Sequence, residues 1–158
     1  MFNIVLHEPR IPGNVGTIGR LAFALNCKLH LIKPYGFGEI TEKEVRRAGL
    51  DYWFELEVYE YENIESFWAQ HPLGERHFFA TTKTDNPYFE ADFEEGDYFY
   101  FGREDEGLPE TILEKNKQGC VTIPMTNDAR SLNIANSVSI ITYEALRQNF
   151  GQLKGRFS

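Results

Sequence analysis

Cysteine is nearly absent from this 158-residue chain: Cys27 and Cys120 stand alone, each in an apolar context. Two isolated thiols make neither a disulfide framework nor a metal knuckle, and both read as small core residues. Histidine is sparse as well. His7, His30, His71 and His77 show no H-x-x-x-H spacing, so no metal site is expected. Long hydrophobic runs are missing: the longest strictly apolar stretch, Leu21-Ala22-Phe23-Ala24-Leu25, falls far short of the ~20 residues that span a bilayer. Met1 leads straight into Phe2-Asn3-Ile4-Val5-Leu6 with no basic leader or small-residue cleavage site. A cytoplasmic protein with no membrane partner is expected. Positive charge is also in deficit, with 16 Lys+Arg against 24 Asp+Glu and a net charge of −8. Taken as a total, that argues against a nucleic-acid binder, because phosphate recognition usually shows as a basic excess.

What is present points to one globular domain spanning residues 1–158. The length is that of a single domain, and 42% hydrophobic residues suffice for a core. The acidity is unevenly spread. Residues 1–49 hold seven bases against four acids, residues 50–114 three against 18, and residues 115–158 six against two. Both ends are therefore mildly basic, and an anionic partner fits there if the fold brings them together. The acidic middle reads as a solvated surface.

Strand-like and helix-like segments alternate. Residues 2–7 form a short apolar run bounded by Pro9, and Val15, Ile18, Leu21, Ala22 and Leu25 then fall at helical spacing. Residues 29–32 return to strand, and Thr41-x-x-Glu44 has the capping-box form before a short helix through Arg47. Further strands are expected at 56–59, 77–81, 98–101 and 120–123, with helices at 64–70 and at about 109–117, where Pro109 opens the helix. Ile134, Val138, Ile141 and Ala145 mark a last helix. This order implies an α/β fold, a mostly parallel sheet with helices on both faces, whose chemistry belongs in the loops beyond the strands' C-terminal ends.

Three such loops stand out. Pro12-Gly13-Asn14-x-Gly16-x-x-x-Arg20 opens a helix after the first strand. Its glycines do not follow the G-x-G-x-x-G dinucleotide pattern, and no acid ends the next strand. Arg20 is either a surface arginine or a fixed guanidinium that grips a phosphate or a ribose oxygen. In Phe101-Gly102-Arg103-Glu104-Asp105-Glu106-Gly107-Leu108-Pro109, Gly102 permits close backbone approach and Gly107 an unusual turn. Its three acids suit a solvated loop or a helix N-terminus better than a magnesium ion. The third runs from Ile123-Pro124-Met125 through Arg130 to Ser131-Leu132-Asn133, Asn136 and Ser137. One cap cannot explain so many small polar groups, so ligand binding or an interface is indicated. No nucleophile elbow, Walker lysine or Cys-His pair is present.

In this order the three loops resemble the motifs of the SPOUT superfamily of RNA methyltransferases, and most closely the small tRNA (cytidine/uridine-2'-O)-methyltransferases of the wobble nucleotide. Arg46-Arg47-Ala48-Gly49-Leu50-Asp51-Tyr52 is similar to a segment of that subgroup. The resemblance implies a deep C-terminal trefoil knot within roughly residues 77–150, which ordinary topology rules would exclude. It also implies S-adenosyl-L-methionine as cofactor and S-adenosyl-L-homocysteine as product, bound by Ala80, Gly102, Glu104, Ile123, Met125, Ser131 and Leu132. A homodimer is implied that brings Arg20 of one subunit near the cofactor of the other. The reaction implied is 2'-O-methylation of cytidine or 5-modified uridine at tRNA position 34, with leucine tRNAs as substrates. Arg20 and Asn14 would be catalytic, and Arg10, Arg46, Arg47, Arg130 and Asn133 would hold RNA. With a pKa of roughly 12.5–13.8, Arg20 is a poor base and better suited to orienting the ribose and stabilising oxyanion charge. The alternatives are another tRNA position, ribosomal RNA, or a non-catalytic RNA-binding protein on the same scaffold.

Overall fold

A computed structural model of the chain describes residues 1–41, 43 and 53–157. Arg46, Arg47 and the expected short helix after Thr41 lie outside the described residues. The elements run β1 (Asn3–His7), α1 (Pro12–Leu25), β2 (Lys28–Ile32), β3 (Val58–Tyr61), α2 (Ile64–Gln70), β4 (His77–Ala80), β5 (Tyr98–Phe101), α3 (Glu110–Lys115), β6 (Cys120–Val121) and α4 (Ile134–Leu153). The sheet order is β3-β2-β1-β5-β4-β6, and every pairing is parallel. The strand order changes direction between β1 and β5.

Both faces of the sheet are covered. Under α1 and α4 lie Ile4, Leu6, Leu29, Leu31, Phe78, Phe99 and Phe101, packed with Val15, Ile18 and Ala22 of α1 and Val138, Ile141 and Ala145 of α4. The opposite face meets α2 and α3 through Val5, Ile32, Phe79 and Tyr100 against Phe67, Ile112 and Leu113. Cys27 and Cys120 are buried in these two layers as expected.

Local rules set the boundaries. Asn26 takes the left-handed conformation (φ 53°) that ends α1, its N–H returning to Ala22 and Phe23 carbonyls. Asn63 caps α2 by accepting from the Ser66 N–H at 2.8 Å. Three of the expected boundaries that shift have a local cause. The strand expected at 56–59 begins two residues later, because the Leu56 N–H turns back to the Trp53 carbonyl in a short 3-10 turn. Pro109 stands just before α3, with its carbonyl accepting the first helical bonds from Ile112 and Leu113. β6 stops at Val121, since the Thr122 N–H leaves the ladder for the Asn86 carbonyl.

Candidate functional site

The C-terminal ends of β4, β5 and β6 and the approach to α4 enclose a cavity of about 570 Å³. Ten of the residues singled out from sequence line it: Asn14, Ala80, Gly102, Glu104, Ile123, Met125, Arg130, Ser131, Leu132 and Asn133. Apolar wall comes from Ala80, Leu108, Ile123, Met125 and Leu132, while Thr81, Thr82 and Ser131 add hydroxyls. An apolar wall set among hydroxyl, amide and charged groups suits a small organic ligand that has both apolar and polar parts.

Loop geometry explains the glycines. Residues 103 and 107 exchange backbone hydrogen bonds, Gly107 N–H to the Arg103 carbonyl at 2.8 Å and the reverse at 3.2 Å. Gly107 supplies the positive φ of 72° that closes this hairpin. A Cβ on Gly102 would overlap the Gly107-Leu108 backbone, so any side chain there would force the loop open.

The hairpin presents Glu104 to the first loop. Its carboxylate accepts from the Arg10 N–H at 2.9 Å, the Ile11 N–H at 2.7 Å and the Asn14 Nδ2 at 3.3 Å. Asn14 Oδ1 accepts in turn from Asn133 Nδ2 at 3.2 Å. Asn133 Oδ1 caps α4 by accepting from the Ala135 N–H at 2.8 Å and the Asn136 N–H at 3.4 Å. One hydrogen-bonded series therefore ties together all three motif loops.

The charges of the cavity are largely internal. Arg103 forks onto Asp105 at 2.9 and 2.8 Å and reaches Glu106 at 3.3 Å. That pairing holds the Asp105 carboxyl below its usual range. Lys83 lies 2.7 Å from Glu110, whose carboxyl is likewise held down. Arg130 is exposed at the rim and makes no ion pair among the described residues. Neither Arg10 nor Arg20 lines the cavity. The Arg10 guanidinium turns to Glu8 at 3.5 Å, while its Nε is buried without a partner among the described residues. Arg20 is exposed on α1 and unpaired among the described residues. Sequence reasoning missed Thr81, Thr82 and Lys83, although their place directly beyond β4 was the available signal. It also missed Thr122, while Leu108 and Ser137, named in the second and third loops without a role of their own, line the cavity too.

A model of the SpoU rRNA methylase family matches residues 1–143. A tRNA (cytidine(34)-2'-O)-methyltransferase of Saccharophagus degradans is 44% identical over 149 residues, covering 94% of this chain and 96% of that protein. A solved structure described as giving insights into the 2-OH methylation of C/U34 on tRNA superimposes with a TM-score of 0.89 at 40% identity, covering 96% of this chain and 97% of that one. An AdoMet-bound rRNA methyltransferase from Sinorhizobium meliloti superimposes with a TM-score of 0.80 at 27% identity, over 92% of this chain and 56% of that one.

Proposed function

The chain belongs to the SpoU rRNA methylase family, and from that premise we propose that it is a tRNA (cytidine/uridine-2'-O)-methyltransferase. It methylates the ribose 2'-hydroxyl of the wobble nucleotide, cytidine or 5-modified uridine at position 34, in leucine tRNAs. The observation that carries this reading is the convergence of the three motif loops on one cavity, joined through Glu104, Asn14 and Asn133. The near-full-length likeness to C34 and C/U34 enzymes supports the choice of target.

The residues present fit S-adenosyl-L-methionine. At about 570 Å³ the cavity is of ligand size, Gly102 lies in its wall, and the apolar side chains suit an adenosine and a thioether. When bound, the cofactor supplies an electrophilic sulfonium methyl group and leaves as S-adenosyl-L-homocysteine. Ala80, Gly102, Ile123, Met125, Ser131 and Leu132 hold it, beside Glu104. The fold reading includes a deep trefoil knot within roughly residues 77–150, and the enzyme acts in the cytoplasm as a homodimer. Support for the dimer comes from α4, which exposes Tyr143 and Phe150, and from Arg20, which lies outside its own chain's cavity as a residue serving the partner's would. Arg20 orients the ribose and stabilises oxyanion charge as the hydroxyl proton leaves late to phosphate or water. Arg10, Arg46, Arg47, Arg130 and Asn133 line the RNA path, and binding weakens as salt rises.

Incubation with labelled S-adenosyl-L-methionine and total tRNA, followed by nucleoside mapping, tests the reading. A 2'-O-methylpyrimidine at the wobble nucleotide is expected, and its absence overturns the claim. Replacing Arg20→Ala should lower kcat by about 10²–10³ with cofactor affinity kept. Full activity in Arg20→Lys would show that the forked guanidinium is irrelevant.

A further inference from the structure

We propose that Glu104 is a positioning residue that clasps the start of α1, and so fixes the helix that carries Arg20 relative to the cofactor cavity. This rests on the methyltransferase reading above, but its geometry stands apart from it. Helix α1 begins at Pro12 after Ile11, which has no polar side-chain atom and makes no side-chain cap. The donors at this helix entry would face water or go unpaired. Instead a carboxylate more than 90 residues away in sequence takes two of them, the Arg10 and Ile11 N–H groups, on separate oxygens. The second oxygen also accepts from Asn14 Nδ2.

The clasp is aimed by a stiff support. The hydrogen-bonded pair of residues 103 and 107 closes the hairpin, the Gly107 conformation shapes it, and the backbone packed on Gly102 keeps it shut. Arg103 is committed to Asp105 and Glu106, which leaves Glu104 to the α1 entry. A negative charge at this place also complements the positive end of the α1 dipole. Through Asn14 the clasp continues to Asn133 and the cap of α4. Glu104 thus touches the cavity, α1 and, through one further side chain, α4. Loosening it would let the Arg20 helix shift while the cofactor walls stay in place.

The decisive variant is Glu104→Gln. It keeps size, but its amide group faces a backbone N–H with another donor. Three measurements separate the roles. Hydrogen exchange at the Arg10 and Ile11 amides should quicken by about tenfold, as expected for a lost hydrogen bond in a local opening, with β5 and α4 unchanged. The affinity for S-adenosyl-L-homocysteine by calorimetry should stay within about threefold. The kcat on tRNA should fall about 10²-fold, the scale of a misplacement near 1 Å, with KM little changed. Unchanged exchange at Arg10 and Ile11 overturns the clasp. Lost cofactor affinity with unchanged exchange would instead make Glu104 a direct ligand. If Glu104→Gln does not fold, Asn14→Ala serves: it should speed the same amides more weakly, and no change there overturns the proposal. Should the wild-type protein methylate no tRNA while exchange responds as expected, the activity reading fails and the clasp stands.

Discussion

Under α1 and α4 the sheet presents Ile4, Leu6, Leu29, Leu31, Phe78, Phe99 and Phe101, all buried hydrocarbon. Turned over, the same strands present Asn3, His7, His30, His77, Tyr98 and Tyr100, which are buried or half-buried. Strand alternation alone separates the two sets, since successive side chains point to opposite faces. The polar face is tolerable because most of its groups find one another, His7 Nδ1 alone of them being buried without a partner among the described residues. Asn3 Nδ2 donates to the Gly96 carbonyl at 3.0 Å, which leaves Oδ1 to accept from His30 Nε2 at 2.9 Å. Neutral His30 must then accept at Nδ1 from the Tyr61 hydroxyl at 2.9 Å. The Tyr61 oxygen accepts from His71 Nε2 at 3.3 Å, and His71 Nδ1 accepts from the Tyr98 hydroxyl at 2.8 Å. One face is held by packing that any hydrocarbon of the right shape could supply. The other adds to its own packed residues, among them Val5, Ile32 and Phe79, a proton order that admits one arrangement.

The hydrocarbon face offers the largest effect. Phe99 is 1% exposed and meets the rings of Phe2, Phe78 and Phe93 at 5.6, 6.3 and 5.1 Å. Phe99→Ala should cost about 3–5 kcal/mol through lost transfer energy and an unfilled cavity. Urea unfolding should show a lower midpoint at an unchanged slope. A cost no greater than that of removing one buried hydrogen bond would mean that this face relaxes freely, and the contrast between the faces would collapse.

The polar face should respond to acid where the other does not. Burial pushes the His30 imidazolium down to about 3, helped by His71 and Lys28. Burial likewise pushes His77 down to about 4, with His71 lowering it further and Asp97 opposing. Unfolded histidines titrate near 6.5, so below that pH the unfolded chain takes up protons that the folded chain refuses. Stability is therefore full above about pH 7 and is lost as pH falls through 6.5 toward 4 and 3. Each histidine contributes about 1.4 kcal/mol per pH unit within its window. Urea midpoints measured at pH 7.5 and 5 should show the loss, and His30→Leu should flatten the slope. A slope unchanged in that variant would place the acid sensitivity elsewhere.

These two faces also mark how far the sequence could be read. Alternation of strand-like and helix-like runs, Pro9, Pro109 and the 3.6-residue stripe of α4 sufficed for a parallel α/β sheet. Three loops at strand ends, together with the family they resemble, sufficed to name ten residues that line one cavity. What could not be read is pairing over distance. Glu104 lies among two other acids in sequence, and nothing local says that it, rather than Asp105, reaches Arg10 and Ile11. The four histidines likewise lack any ligand spacing, yet His30, His71 and His77 gather on one face, where Tyr98 of β5 meets the rings of all three. Arg20 was singled out by its motif, but its distance from its own cavity depends on how α1 lies on the sheet.

The smallest effect tests the proton order itself. Tyr98 is the last donor of the series and only half-buried, so in Tyr98→Phe water can replace its hydroxyl at His71 Nδ1. The cost should stay below about 1 kcal/mol. Tyr61 sits inside the series and is 6% exposed. Tyr61→Phe removes the same single oxygen, but it orphans His30 Nδ1 on one side and His71 Nε2 on the other. A buried group left unpaired costs about 1–3 kcal/mol, so the interior substitution should exceed the terminal one despite identical chemistry. Paired urea titrations at pH 7.5 measure the difference. Equal costs would mean that Tyr61 and Tyr98 contribute independently, and that the polar face is a set of separate contacts rather than one ordered series.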